Sequence, residues 1–247
     1  MPELPHRTIE RTFQVLDYLS ERKRPVRLKD IVTDLAYPGS SASVILKSLV
    51  VLGYANFDRD TMTYSLTPRI GTLAQNFRET VAPEDLCLNA ARQRLSKLTG
   101  GTIGVGIQSD IYAQYISVVP NQRPMPYQVR PGAVRPITRC GLGLALLSRR
   151  SDDEIDRLRR RVNAKEPDRR LHIGEGALVD QIASVRSKGY AFSRGMFREG
   201  VGFIGIALPK PLGGRWSALG VGGMISALAE QEDLIAAELK AVAADLQ

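Results

Sequence analysis

Between Leu28 and Leu66 two helical patterns separated by one tight breaker give way to a β-prone pair, an order that few small folds accommodate. Leu28, Ile31, Val32 and Leu35 mark a short helix, and Tyr37-Pro38-Gly39 ends it. Ser40 or Ser41 then caps a further helix running to about Leu52, with Gly53 as its stop. On that helix Ala42, Ile45, Leu46, Leu49 and Leu52 share one face, while Ser40, Ser43, Val44, Lys47, Ser48 and Val51 lie away from it. Residues 54–57 and 63–66 are β-prone and flank a polar tip, a hairpin. An earlier helical pattern through Ile9, Phe13, Leu16 and Leu19 ends at Arg22-Lys23-Arg24-Pro25. Three helices and a hairpin make a winged helix-turn-helix, assigned to residues 1–68, and Ile70, Leu73 and Phe77 carry a linker helix over 69–82.

Residues 83–247 read as a second domain. Leu88, Ala91, Leu95 and Leu98 open it with a helix, and β-rich runs over 102–108 and 111–119 flank the turn Ser109-Asp110. A proline-rich loop over 120–136 leads to a small-residue helix start at Cys140-Gly141-Leu142-Gly143. Ser151 with Glu154 forms a capping box, and Leu178, Ile182 and Val185 mark a helix ending at Gly189. Strands follow over 190–193, 202–208 and 216–222, then a closing helix from about residue 230 to 239. Strands gathered among helices make the chain α+β, with a central antiparallel sheet in the second domain.

Several function classes are excluded by what the chain lacks. No run approaches the ~18 apolar residues of a membrane span, and the first residues have no secretion-signal stretch, so a cytoplasmic protein with no membrane partner is expected. Cys87 and Cys140 show no metal-ligand spacing, and two free thiols with no metal site are expected. The two histidines, His6 and His172, stand beside no nucleophile, and Gly101, Gly104 and Gly106 fail the dinucleotide-binding order. Cys140 at a helix start has a position that can lower a thiol pKa, yet no orienting base accompanies it. No enzyme activity, catalytic residue or cofactor is therefore expected. The net charge of +8 suits anionic partners, but only +2 falls in the first 80 residues, so charge alone does not argue for DNA.

Motifs in both halves resemble the IclR family of bacterial regulators in composition and order. They include the opening helix from Arg11, Ser40-Ser41, 49–54 at the wing, Gly132 with Pro136, 140–147, 185–191, Gly200-Val201 and 206–209. The chain departs from the family pattern at Val44, where arginine is usual, at Leu144, where lysine or arginine is common, and at Arg194-Gly195, where an acidic pair is usual. The resemblance implies a GAF-like α/β sensor domain and a DNA-binding regulator controlled by a metabolite. The other reading is a metabolite-binding or protein-interaction module that has lost sequence-specific DNA binding.

Ser40, Ser41, Ser43 and Lys47 lie on the outward side of a helix suited to a major groove, Val44 can touch a thymine methyl, and Arg27 and Arg59 suit the backbone of a double-stranded, palindromic operator. The resemblance implies an effector cavity at the Gly141 and Leu142 backbone, with Cys140 in the same loop, lined by Ser193, Val201, Phe203, Gly220 and Gly222. A helix start and Arg135 at its rim favour a small organic acid, and Phe203 with Val201 suits an aromatic or branched one. A homo-oligomer is expected, a dimer or a dimer of dimers.

Overall fold

The computed structural model describes residues 7–78, 84–122, 128–212 and 214–246, with the side chains of 74–78 and 84–87 outside the description. Phe77 and the expected second free thiol, Cys87, therefore lie outside the described side chains. The chain divides into two compact units, Met1–Thr80 and Val81–Gln247.

In the first unit, helix α1 (Arg7–Arg22) precedes a two-residue strand β1 (Val26–Arg27), helices α2 (Leu28–Asp34) and α3 (Gly39–Val51), strands β2 (Ala55–Asp58) and β3 (Thr63–Leu66), and helix α4 (Arg69–Arg78). The strands form an antiparallel sheet in the order β1-β3-β2, with Val26 opposite Tyr64 and Phe57 opposite Tyr64 on its other side. Strand β1 lies just after what the sequence offers only as a helix breaker; Val26 earns its place by being buried in the core.

The buried stripe of α1 is Val15, Tyr18 and Leu19, whereas Ile9 and Phe13 are 55% and 62% exposed, against the sequence expectation. Val15 lies two steps after Phe13, a turn of about 200° around the helix, so these side chains cannot share a face. Leu52 is also exposed, since it falls just beyond the last turn of α3 that packs inward. Tyr18 donates to Asp34 Oδ2 at 2.7 Å, and Arg22 pairs with the same carboxylate, which ties α1 to the end of α2.

The second unit begins with α5 (Glu84–Thr99), β4 (Thr102–Ser109), β5 (Tyr112–Val119) and β6 (Val134–Pro136). A 3-10 turn at Ile137–Arg139 leads into α6 (Gly141–Leu147), followed by α7 (Asp152–Lys165), a second short turn and α8 (Ala177–Lys188). Strands β7 (Ala191–Arg194), β8 (Val201–Ala207) and β9 (Ser217–Met224) and helices α9 (Ile225–Glu230) and α10 (Glu232–Asp245) complete it. The six strands form one antiparallel sheet, β6-β5-β4-β9-β8-β7.

Two outcomes differ from the sequence expectation. The end of the proline-rich loop is the edge strand β6, where Pro136 opposite Tyr112 is tolerated because an edge leaves one side of the ladder unpaired. The closing helix expected over about 230–239 is α10, and a further helix, α9, precedes it, set off by Gln231, which leaves helical backbone at φ −114°.

Alternation along the strands sorts large and small residues onto opposite faces. Ile103, Val105, Ile204, Ile206, Leu219 and Val221 pack with α5, α9 and α10. On the other face Gly104, Gly106, Gly205 and Gly220 leave the backbone bare. Helix α6, buried at every residue, fits against this bare face, and Leu142 packs on Gly106 with no room for a Cβ between them. Glycines thus set how deeply α6 enters the core. They also leave room beside its first residue.

Candidate functional site

Two surfaces carry the sequence-derived candidates, one in each unit. In the first, α2 and α3 form the helix pair, joined through a turn in which Ala36 takes φ +53°. Helix α3 begins at Gly39, ahead of both expected caps. Pro38 is its N-cap, with no side-chain cap, so Ser40 and Ser41 lie in the first turn instead of before it. Ala42, Ile45, Leu46 and Leu49 anchor the helix, leaving Ser40, Val44 and Lys47 exposed; Val44 is 63% accessible. Ser43 is half-buried, as is Ser41, which accepts from Arg11 Nη1 at 3.4 Å.

Arg59 is exposed at the hairpin tip, where Asp58 Oδ1 accepts from the Asp60 N–H at 2.8 Å and from the Thr61 N–H at 3.3 Å. Those bonds hold the Asp58 carboxyl below its usual pKa and fix the turn that presents Arg59. Exposed Arg27 stands at the start of α2, its backbone N–H given to Asp30 Oδ2 at 3.0 Å.

In the second unit a cavity of about 60 Å³ lies between the bare face of the sheet, the start of α6 and the β7–β8 loop. Arg135, Cys140, Gly141, Ser193, Val201, Phe203 and Gly222, seven of the nine sequence candidates, line it. Leu142 and Gly220 do not. Leu142 turns onto Gly106, and Gly220 lies beneath the Phe203 ring, 2.5 Å from where its Cβ would stand. Tyr115, Phe197, Arg198 and Thr102 also line the cavity and had no local sequence signal, since strand pairing and a loop excursion bring them there.

Gly141 is required by its neighbours more than by any ligand. A Cβ there would come 2.7 Å from Ser193 Oγ and 2.8 Å from Phe203 Cδ1. Phe203 presses onto Gly205 and Gly220 and meets Tyr115 edge-on, with centroids 6.3 Å apart. Its ring therefore fills the floor and does not offer an open aromatic slot.

The lowered thiol pKa considered for Cys140 is overturned. Burial pushes it up to about 12, outweighing the Gly143 N–H and the charges of Arg135 and Arg139. The neutral sulfur serves instead as a helix cap, accepting from Gly143 N at 3.3 Å. Arg135 stacks on Phe197, donates Nη1 to the Val134 carbonyl at 2.6 Å and has its pKa lowered by partial burial. Its cost of burial falls when an anion shares the cavity.

Two of the residues that depart from the family pattern, both in the second unit, have structural partners. Leu144 is fully inside the core. Arg194 pairs with Glu232 at 2.9 Å, and Tyr190 donates to the other oxygen of that carboxylate at 2.7 Å, which joins β7 to α10.

Comparison with known proteins agrees with this architecture. Residues 8–59 match the IclR helix-turn-helix domain, and residues 88–247 match the Bacterial transcriptional regulator IclR C-terminal domain. The HTH-type transcriptional regulator KdgR of Escherichia coli (strain K12) is 25% identical over 201 residues, covering 81% of this chain and 75% of that protein. The effector domain of the putative regulator IclR from Acinetobacter sp. ADP1 is 26% identical, covers 66% of this chain and 95% of that one, and superposes with a TM-score of 0.62. The Thermotoga maritima IclR structure is 17% identical over 97% of this chain and 98% of that one, with a TM-score of 0.65. Among the described residues no helix is long and apolar enough to cross a membrane. The chain belongs to the IclR family: it is a transcriptional regulator, not an enzyme, with an N-terminal helix-turn-helix domain and a C-terminal effector-binding domain.

Proposed function

We propose that this regulator binds a two-fold symmetric operator as a homo-oligomer and that a small carboxylate in the second-unit cavity changes its operator affinity. The observation that carries the effector half is the convergence of Arg135, Ser193 and the Gly141 end of α6 on one small cavity. A guanidinium, a hydroxyl and the first turn of a helix are all donors or positive ends, and together they favour an anion. Size narrows the class. An apolar cavity of about 150 Å³ accommodates benzene, and at about 60 Å³ this one suits an acid of a few carbons better than the aromatic acid expected from Phe203.

For DNA, the exposed edge of α3 offers Ser40 and Lys47 to a groove, with Val44 shaped for a thymine methyl and Arg59 on the wing for phosphate. One helix-turn-helix reads one half-site, so a palindromic site and a dimer follow together, with half-sites about 34–36 Å apart or a multiple of that. Footprinting of the purified full chain on promoter DNA, with and without a panel of C2–C6 organic acids, tests both halves. Symmetric protection that an acid weakens or strengthens is expected. Protection of a single unpaired half-site contradicts the oligomer, and a footprint indifferent to every acid contradicts the effector class.

A further inference from the structure

We infer that Tyr115 is a specificity-determining donor of the cavity and that the acid bound there carries a second oxygen, a hydroxyl or oxo group, besides its carboxylate. This rests on the reading of the cavity as an acid site. Tyr115 is 6% exposed and lines the cavity from strand β5. Among the described residues its hydroxyl makes no hydrogen bond, although a buried phenol ordinarily finds a partner. The oxygen is not sealed in protein, because it is absent from the fully enclosed polar atoms that lack partners. Tyr115 lines the cavity, and the ionisable groups its phenol senses, Cys140 and Arg135, line it too.

The ring has little freedom to turn elsewhere. A Cβ on Gly104 would stand 2.7 Å from Tyr115 Cε1, so the ring lies directly on that glycine, and Phe203 meets it at 84°. Burial, with Cys140 second, pushes the phenol pKa upward, against the opposing charge of Arg135, so the group stays a neutral donor at physiological pH. A carboxylate held by Arg135 would leave this donor unsatisfied unless the rest of the ligand supplied an acceptor. The cost of an unmade buried hydrogen bond then separates oxygenated acids from their hydrocarbon analogues.

Four acids of one carbon skeleton test this by calorimetric titration of the full chain: butanoate, 2-hydroxybutanoate, 3-hydroxybutanoate and 2-oxobutanoate. At least one oxygenated acid should bind tenfold or more tightly than butanoate. Tyr115→Phe should bring that ratio within about twofold by weakening only the oxygenated acid. The unliganded melting temperature of the variant should be unchanged or higher, since a hydroxyl without a partner contributes no bond to lose. A ratio that survives Tyr115→Phe, or a wild type that binds butanoate as tightly as the rest, overturns the inference while leaving the acid site standing. Failure of these four and of every other acid of the C2–C6 panel to bind a protein that still binds its operator overturns the acid site and this inference with it.

Discussion

The guanidinium carbon of Arg135 lies 4.1 Å from the centre of the Phe197 ring, so the cation at the cavity edge is held in plane by an aromatic face on the β7–β8 loop. The aromatic face restrains the guanidinium, and a carboxylate is recognised through guanidinium N–H groups in the plane of that group. Arg135→Ala should lower acid affinity by about 1.5–3 kcal/mol, the range for hydrogen bonds to charged groups, while leaving operator affinity without acid unchanged. Arg135→Lys should recover little, because an ammonium lacks the planar fork that lies flat on the ring and gives two parallel N–H bonds to a carboxylate. Titration calorimetry reads both variants, and undiminished acid binding in Arg135→Ala removes this residue from the site.

Lys47 stands on the exposed edge of α3, and Ala42, Ile45, Leu46 and Leu49 fix that edge outward. Lys47→Ala should weaken operator binding by about 1–3 kcal/mol if it reads a base edge. If it touches only phosphate, the loss should be uniform across sequences and the salt slope should fall by about one. Fluorescence anisotropy at several salt concentrations separates these outcomes. Unchanged affinity at every salt concentration excludes Lys47 from the interface.

Gly143 packs so tightly on the preceding turn that a Cβ would stand 2.6 Å from the Ile137 carbonyl carbon and closer still to its oxygen. Because the obstacle is backbone, no rotamer relieves it. Gly143→Ala should destabilise the second unit by about 3 kcal/mol or more, at the upper end of overpacking costs. Chemical denaturation measures this, and a loss under about 1 kcal/mol would show that the α6 start is softer than its packing implies.

Cys140 should resist alkylation in the native protein. Its folded pKa of about 12 lies above the ordinary value of 9.0, so the protonated thiol is the form that folding favours. The resulting stability is fully present below pH 9.0 and is lost as the pH rises toward about 12. In a Cys87→Ser background, iodoacetamide at pH 8 should label Cys140 only after unfolding. Rapid labelling of the native protein would contradict the burial assigned to it.

Much of this architecture is legible where local pattern and tertiary need coincide. The Ser151–Glu154 capping box opens α7 as expected, and the inward positions Ala42, Ile45, Leu46 and Leu49 of α3 follow from their spacing. Legibility fails where long-range partners decide. The Ile9 and Phe13 pair obeys helical spacing as well as the true core stripe does, and nothing local says which face the sheet will meet. Pro136 looks like loop until Tyr112 pairs with it.

The cavity shows the same division. Gly141 and Ser193 belong to motifs in the chain, but Tyr115 is one aromatic residue in a β-prone run until Gly104 and Phe203 are placed around it. Glycines that look like room for a ligand prove largely to be room for Phe203 and α6.

The most direct test of effector control is operator affinity of the full chain measured by anisotropy as the best-binding acid is added, in parallel for the wild type and Arg135→Ala. A ligand shifts this equilibrium only if it binds the DNA-competent and DNA-incompetent states differently. Saturating acid should change the wild-type operator Kd by about tenfold or more, within the usual range of allosteric coupling. In Arg135→Ala the acid-free Kd should match the wild type, and the acid titration of that Kd should move to tenfold or more higher acid concentration. An acid that saturates the cavity without changing operator affinity, or an equal shift at the same acid concentration in Arg135→Ala, would contradict control of DNA binding through this site.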